Sequence, residues 1–178
     1  MAVTINADTS NGLVMTPDTS GEIQLQANGV TKATIGSNGL SSTGHVLQVV
    51  NATNTAQITT TSTSYITTGI SASITPSSTS SKIIVSCVPN GVYSTQIAIW
   101  FTLYKNGVDV SGSLNELVQL YSSSGNVLSS VPFIYYDSPN STSTQTYTLY
   151  WKVSSSTGYL NYAGVSGETT IMLQEVAG

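Results

Sequence analysis

The run from Thr59 to Val88, TTTSTSYITTGISASITPSSTSSKIIVSCV, constrains the fold of this chain more than any other feature. Ser and Thr dominate it, and β-branched residues recur in it with a period of two. Such alternation builds strands with one face to a core and one to solvent, and it leaves little for a helix. The inward faces expected from it include Ile66, Ile70, Ile74, Ile84 and Val88, with the hydroxyls outward. Cys87 shares a strand face with Val85 and Ile83, so it is read as a buried structural thiol.

The pattern continues to the end of the chain. From His45 on, strand candidates are Val46–Asn51, Ala56–Thr61, Tyr65–Thr75, Lys82–Pro89, Gln96–Lys105, Leu128–Tyr136, Gln145–Val153, Gly158–Tyr162 and Thr169–Val176. Short strands separated by polar turns match a two-sheet sandwich or jelly roll, not the helix-linked strands of a parallel sheet. Asn106-Gly107, after QIAIWFTLYK, is a hairpin signal. Ser113–Tyr121 stays open between a helix, with Ser113 and Glu116 as a capping box, and a loop or edge strand.

The segment from Met1 to Gly44 reads differently. Turn pairs punctuate it at Asn11-Gly12, Ser20-Gly21, Asn28-Gly29 and Asn38-Gly39. Asn-Gly supplies the two positive-φ residues of a type I′ hairpin turn. Between the pairs lie Leu13–Thr16, Glu22–Ala27 and Thr31–Ile35, and in the second of these Ile23, Leu25 and Ala27 alternate with polar residues. Three short strands cannot bury a core alone. Copies from neighbouring chains are expected to pack together around an axis. The organisation expected is all-β: a hairpin-rich anchoring segment over 1–44 that packs with its copies, then a jelly-roll-like sandwich over 45–178.

Charge excludes several functions. Only 7% of the 178 residues are charged and the net charge is −4. There is no arginine, and Lys32, Lys82, Lys105 and Lys152 are scattered. Phosphate binding needs clustered positive charge, so nucleic acid is not an expected partner. The acidic balance argues against an anionic membrane surface, and no run approaches the ~20 apolar residues of a membrane span. The opening MAVTINADTS has neither a basic nor an apolar stretch, so no secretory leader is expected. One cysteine allows no intrachain disulfide, which fits synthesis in a reducing cytosol. A small β domain without staples points to oligomerisation as a source of stability.

Catalytic chemistry is sparse. His45 is the only histidine and no G-x-S-x-G elbow is present, so His45 reads as an exposed linker residue. There is no zinc-ligand spacing and no calcium loop, and no metal, cofactor or catalytic residue is expected. Copies of Asp8, Asp18 or Glu22 converging on a trimer axis are the one remaining way to hold a cation. Glu116, Asp137, Glu168 and Glu175 could supply the two carboxylates of a glycosidase, but the β-helix platform usual for depolymerases has no room here. Trp100, Tyr104, Tyr147 and Trp151 lie in strands and read as core or inter-subunit packing. Tyr93, Tyr121, Tyr159 and Tyr162 fall near loops, either as ordinary half-buried rings or as contacts for a receptor glycan.

Two stretches resemble known proteins. GLVMTPDTSGEIQLQANGVTKATI is similar to a "GLV…TSDTSG…L…NG…ALTI" segment of phage, especially marine-phage, virion proteins. TSTSYITTGISASITPSSTSSKIIVSC, a middle hairpin, FIYYDSPNSTSTQTYTLYWKV and the terminal ETTIMLQEVAG occur in the same order as in the Ser/Thr-rich knob domains of tailed-bacteriophage fibre and decoration proteins. Asp137, Ser138 and Pro139 match that family's turn, and Tyr147 with Lys152-Val153 matches its strand; Leu114–Ser130 departs from its Gly/Arg-rich insert. The resemblance implies a trimeric jelly-roll knob on the virion surface, seated on the major capsid protein as a decoration or short head-fibre protein. A tail-fibre tip that binds a host surface glycan is the first alternative, and a carbohydrate-binding module or small glycanase the second. With no heptads or long β-helix for a shaft, the first 44 residues reach only about 150 Å even at ~3.3 Å per residue, which favours the capsid seat.

Overall fold

Asn-Gly pairs set two of the registers. The computed structural model describes residues 21–37, 39–95, 97–163 and 167–178. The expected strand Leu13–Thr16, the Asn11-Gly12 turn, and Asp8 and Asp18 lie outside them. Asn28 and Gly29 take φ of 52° and 73°, and they join β1 (Ile23–Ala27) to β2 (Val30–Gly36) with Ala27 opposite Val30. β3 (Gly39–Ser41) adds antiparallel to β2. The chain divides into two compact units, Met1–His45 and Val46–Gly178, and this meander belongs to the first. Its Leu25, Val30, Ile35 and Leu40 stay between 40% and 54% exposed, so the three strands bury no core of their own.

The second unit is all-β. Its strands are β4 (Val46–Asn54), β5 (Ile58–Thr60), β6 (Ile66–Ile74), β7 (Lys82–Val88), β8 (Val92–Thr95), β9 (Ala98–Lys105), β10 (Val108–Asp109), β11 (Val118–Tyr121), β12 (Asn126–Ser129), β13 (Phe133–Asp137), β14 (Gln145–Val153), β15 (Gly158–Leu160) and β16 (Thr169–Val176). One sheet has the order β13-β7-β16-β4; a second has the order β10-β9-β14-β6, with β11 also pairing along β9. All these pairs are antiparallel. Lettering β4, β6, β7, β9, β11, β13, β14 and β16 as B to I turns the sheets into G-D-I-B and F-E-H-C. That is the double Greek key of a jelly roll.

Alternation places the core between the sheets. Ile83, Val85, Cys87, Ile171 and Leu173 face inward from one; Ile70, Ala72, Ile74, Ile99, Phe101, Leu103, Tyr147, Leu149 and Trp151 face inward from the other. Ile70 and Ile74 are core as expected, but Ile84, Val88 and Ile66 are not. Ile84 and Val88 have the opposite parity to Ile83, Val85 and Cys87, and since strand side chains alternate they must point outward; Val88 is 38% exposed. Ile66 opens the edge strand beyond a bulge, where Thr68 to Ile70 oppose Leu149 and the Thr68 hydroxyl donates to the Leu149 carbonyl at 2.9 Å. It remains 39% exposed.

Two further readings resolve here. Leu128–Tyr136 is two strands, β12 and β13, separated at Ser130–Pro132, where proline has no N–H for a ladder. Ser113–Tyr121 is an edge strand preceded by a 3₁₀ turn, Gly112–Leu114, which ends on Asn115 in the left-handed region at φ 59°. Asn106 and Gly107, at φ 49° and 84°, join β9 to β10 with Lys105 opposite Val108, the hairpin expected from the sequence.

Candidate functional site

A third sheet, β12-β8-β15-β5, is built from what would otherwise be loops. Its four strands lie in the F–G, D–E, H–I and B–C connections, and all four connections leave the same end of the sandwich. Val92, Ser94, Leu160 and Thr60 point down from this cap sheet and are buried. The alternate residues point away from the core. Leu128 pairs with Tyr93, Tyr93 with Tyr159, and Tyr159 with Thr59, so one cross-strand row spans all four strands.

This row holds two of the four loop tyrosines singled out in the sequence, Tyr93 and Tyr159, and a third, Tyr162, packs on them. The Tyr93 ring stacks on Tyr162 with centroids 4.3 Å apart and planes at 20°. Tyr159 meets both edge-on, at 5.5 Å from Tyr93 and 5.3 Å from Tyr162. Each ring is half-buried. Tyr121 ends β11 opposite Ala98, is 65% exposed, and makes no ring contact with the three among the described residues. The row also contains Leu128, 47% exposed, and Thr59, neither of which the sequence marked out. Only the pairing of β12 and β5 into the cap brings them in.

The backbone beneath the rings is closely fitted. Asn161, buried and at φ 52°, ends β15 and turns Tyr162 back over the sheet. Its amide nitrogen donates to the carbonyls of Asn54 at 2.8 Å and Ala56 at 3.0 Å, and its side-chain oxygen accepts from Thr169 Oγ1 at 2.8 Å. Tyr162 N–H donates to the Gly91 carbonyl at 3.0 Å. A Cβ on Gly91 would lie 2.9 Å from Tyr162 N, and Gly91 has φ 55°, so both space and conformation call for glycine there.

A second aromatic group lies on the outward face of the β9-β14-β6 sheet. Tyr104 stacks on Tyr150 at 3.8 Å, and Lys152 Nζ lies 4.4 Å from the Tyr65 ring centroid and 5.2 Å from that of Trp100. Burial, then the Glu116 and Asp109 carboxylates, push the Tyr65 phenol well above its usual range. It stays neutral and donates to the Asn115 carbonyl. Of the four strand aromatics, Tyr147 and Trp151 are core, whereas Trp100 and Tyr104 sit half-buried on this outer face.

Two of the four carboxylates considered for hydrolysis, Asp137 and Glu175, have structural partners at the opposite end. Asp137 accepts from the Tyr147 hydroxyl at 2.5 Å and pairs with Lys105 Nζ at 2.6 Å, so G, H and E are joined across both sheets. Burial, the hydrogen bond to Asp137 and its charge together drive the Tyr147 phenol far above its usual range. Glu175 is fully buried and accepts from Gln48 Nε2 at 2.5 Å and from Ser77 N and Oγ, both at 2.7 Å. Burial alone would raise its pKa; the hydrogen bonds it accepts, from Gln48 and Ser77, outweigh that and hold it below 4.5. Glu168 is exposed and Glu116 half-buried.

Cys87 is buried, and burial pushes its thiol up to about 12, so it is protonated and unreactive at neutral pH. His45 is exposed. Among the described residues, no three His, Cys, Asp or Glu side chains are grouped to hold a metal ion, and no helix is long and apolar enough to cross a membrane.

No family model and no curated protein matches the chain. Among solved structures it is similar to the VP2 subviral particle of infectious bursal disease virus, with a TM-score of 0.40 and 16% identity. The match covers 87% of this chain and spans 43% of that one.

Proposed function

We propose that this protein is a non-enzymatic structural component of a bacteriophage virion. It is a homotrimer on the outside of the capsid, a decoration or short head-fibre protein that contacts the major capsid protein. The chain is made in the bacterial cytoplasm and carried on the virion surface. The observation that carries this reading is the jelly-roll strand order, in a chain whose sequence blocks resemble phage knob domains. Jelly rolls serve viral capsid and lectin domains alike, so the fold selects this class by analogy. The N-terminal meander adds support for self-association, because its half-exposed Leu25, Val30, Ile35 and Leu40 require a cover.

Counting copies in purified particles tests the assignment. Hundreds of copies per virion are expected for a capsid position. A few tens or fewer would move the protein to a tail, and absence from the particle would remove it from the virion altogether.

The tyrosine row of the cap sheet favours a second reading, a tail-fibre tip or receptor-binding protein that touches a neutral host glycan. Tyrosine rings offer sugars an apolar face and a hydroxyl together. On a glycan array, binding that disappears in Tyr93→Ala and Tyr159→Ala but survives in Tyr121→Ala would establish it. Release of reducing sugar from host polysaccharide would instead assign a glycanase and overturn the non-enzymatic reading.

A further inference from the structure

The outward face of β13 and β7 carries fewer hydroxyls than the outward face of the other sheet does at β6 and the start of β14. In β6, the outward positions are Ser71 and Ser73; in the facing part of β14, Thr146 and Thr148. In β13 they are Ile134 and Tyr136, and in β7 Ile84 and Val88 with Ser86 between them and Lys82 at the end. Ile134 is 72% exposed and Tyr136 59%, while their neighbours in the chain, Phe133 and Tyr135, pack against the core. A group of large apolar side chains left exposed on one sheet face marks a contact surface.

We infer that this face is where copies of the chain meet. The inference rests on the homotrimeric reading above and names the surface that reading requires. Between Lys82 at one end and the cap at the other, the outward positions Ile84, Ser86, Val88, Ile134 and Tyr136 carry no charge, as do Met172 and Gln174 beside them. Such a face gives a foreign protein no electrostatic guide to orientation, and it matches the charge-depleted centre of a subunit interface. Four strands ~4.8 Å apart and about seven residues long span roughly 19 by 24 Å. That area suits the centre of an interface to which each partner contributes about 800 Å², with the flanking Ser/Thr loops as its polar rim.

Shape favours a second copy over any other occupant. The face carries both a projection and a hollow. Tyr136 stands out from β13, and a hollow of about 470 Å³ opens beside it, lined by Ser86, Cys87, Val88, Pro132, Phe133 and Ile134. A knob and a socket on the same chain are what a head-to-tail contact uses, each copy filling the next, and a threefold rotation between copies closes such contacts into a ring.

Sedimentation velocity of the full chain tests this. The wild type is expected to run as a trimer. The double variant Ile134→Lys/Tyr136→Lys should fall threefold in mass with its β-sheet circular dichroism unchanged. Ser71→Lys/Ser73→Lys, which places the same charges on the other sheet, should remain trimeric. If the first variant fails to fold, Ile134→Thr/Tyr136→Thr keeps β-forming residues and is read in the same way. A trimeric Ile134/Tyr136 variant, or a control that dissociates equally, overturns this surface and leaves the trimer standing. A monomeric wild type overturns the trimer and this inference with it.

Discussion

The two ends of the jelly roll use their polar residues differently. At the end formed by the C–D, E–F and G–H connections, Asp137, Lys105 and Glu175 are drawn inward and satisfied by Tyr147, Gln48 and Ser77. At the other end the four connections pair into a sheet, with uncharged Asn161 and Thr169 beneath it and tyrosines on top. A chain with 7% charged residues thus places several of its few charges where they fasten one sheet to the other. The opposite end presents an aromatic cap, with Glu168 in the H–I connection as its one exposed charge among the described residues. Buried charge specifies geometry at a desolvation cost, whereas half-buried aromatics keep area available for contact.

Asp137→Ala should show the largest effect. It leaves the Lys105 ammonium and the buried Tyr147 hydroxyl without their partner, and breaking such a pair costs about 3–5 kcal/mol. Denaturant unfolding should show the whole of the second unit destabilised in one transition. Asn161→Ala comes next, at about 2–4 kcal/mol, because two carbonyls and the Thr169 hydroxyl lose partners. Its signature should be local: hydrogen exchange should quicken in β5, β8 and β15 more than in β7 and β16. Equal acceleration everywhere would erase the distinction between the two ends.

Glu175 gives the fastened end a pH dependence of known sign. Its folded carboxyl is held below 4.5, so its contribution to stability is present above that pH and is lost as pH falls through the folded value. Thermal melts of the wild type should therefore decline below about pH 4.5 more steeply than those of Glu175→Gln. Tyr162→Ala should have the smallest effect, about 1 kcal/mol from the lost stack on Tyr93. The melting temperature should move little, while any glycan binding by the cap should vanish.

The strands were largely legible because alternation is local. Asn28-Gly29 and Asn106-Gly107 made the hairpins they announce, and β6, β14 and β16 fell where β-branched residues alternate. The short strands β8, β10 and β11 were missed or left open, since two to four residues carry too little periodicity to weigh. β7 shows a different limit. In KIIVSCV both parities carry large apolar residues, Ile83 and Val85 on one and Ile84 and Val88 on the other, so alternation alone pulls both ways. Pairing with β16, which places Cys87 opposite Ile171 and Val85 opposite Leu173, decides between them.

The candidate site divides along the same line. Composition and turn chemistry alone determined an all-β chain with few charges, a buried thiol and tyrosines near its loops, because those properties follow from residues close in sequence. Only the tertiary structure decided that Tyr93, Tyr159 and Tyr162 share one surface with Leu128 and Thr59. It alone decided that Asp137 and Glu175 face inward, and that β13 and β7 present Ile84, Val88, Ile134 and Tyr136 outward. Each of these depends on which distant strands pair, and the jelly-roll crossing sets that pairing by closing one core between two sheets, a global condition with no local signature.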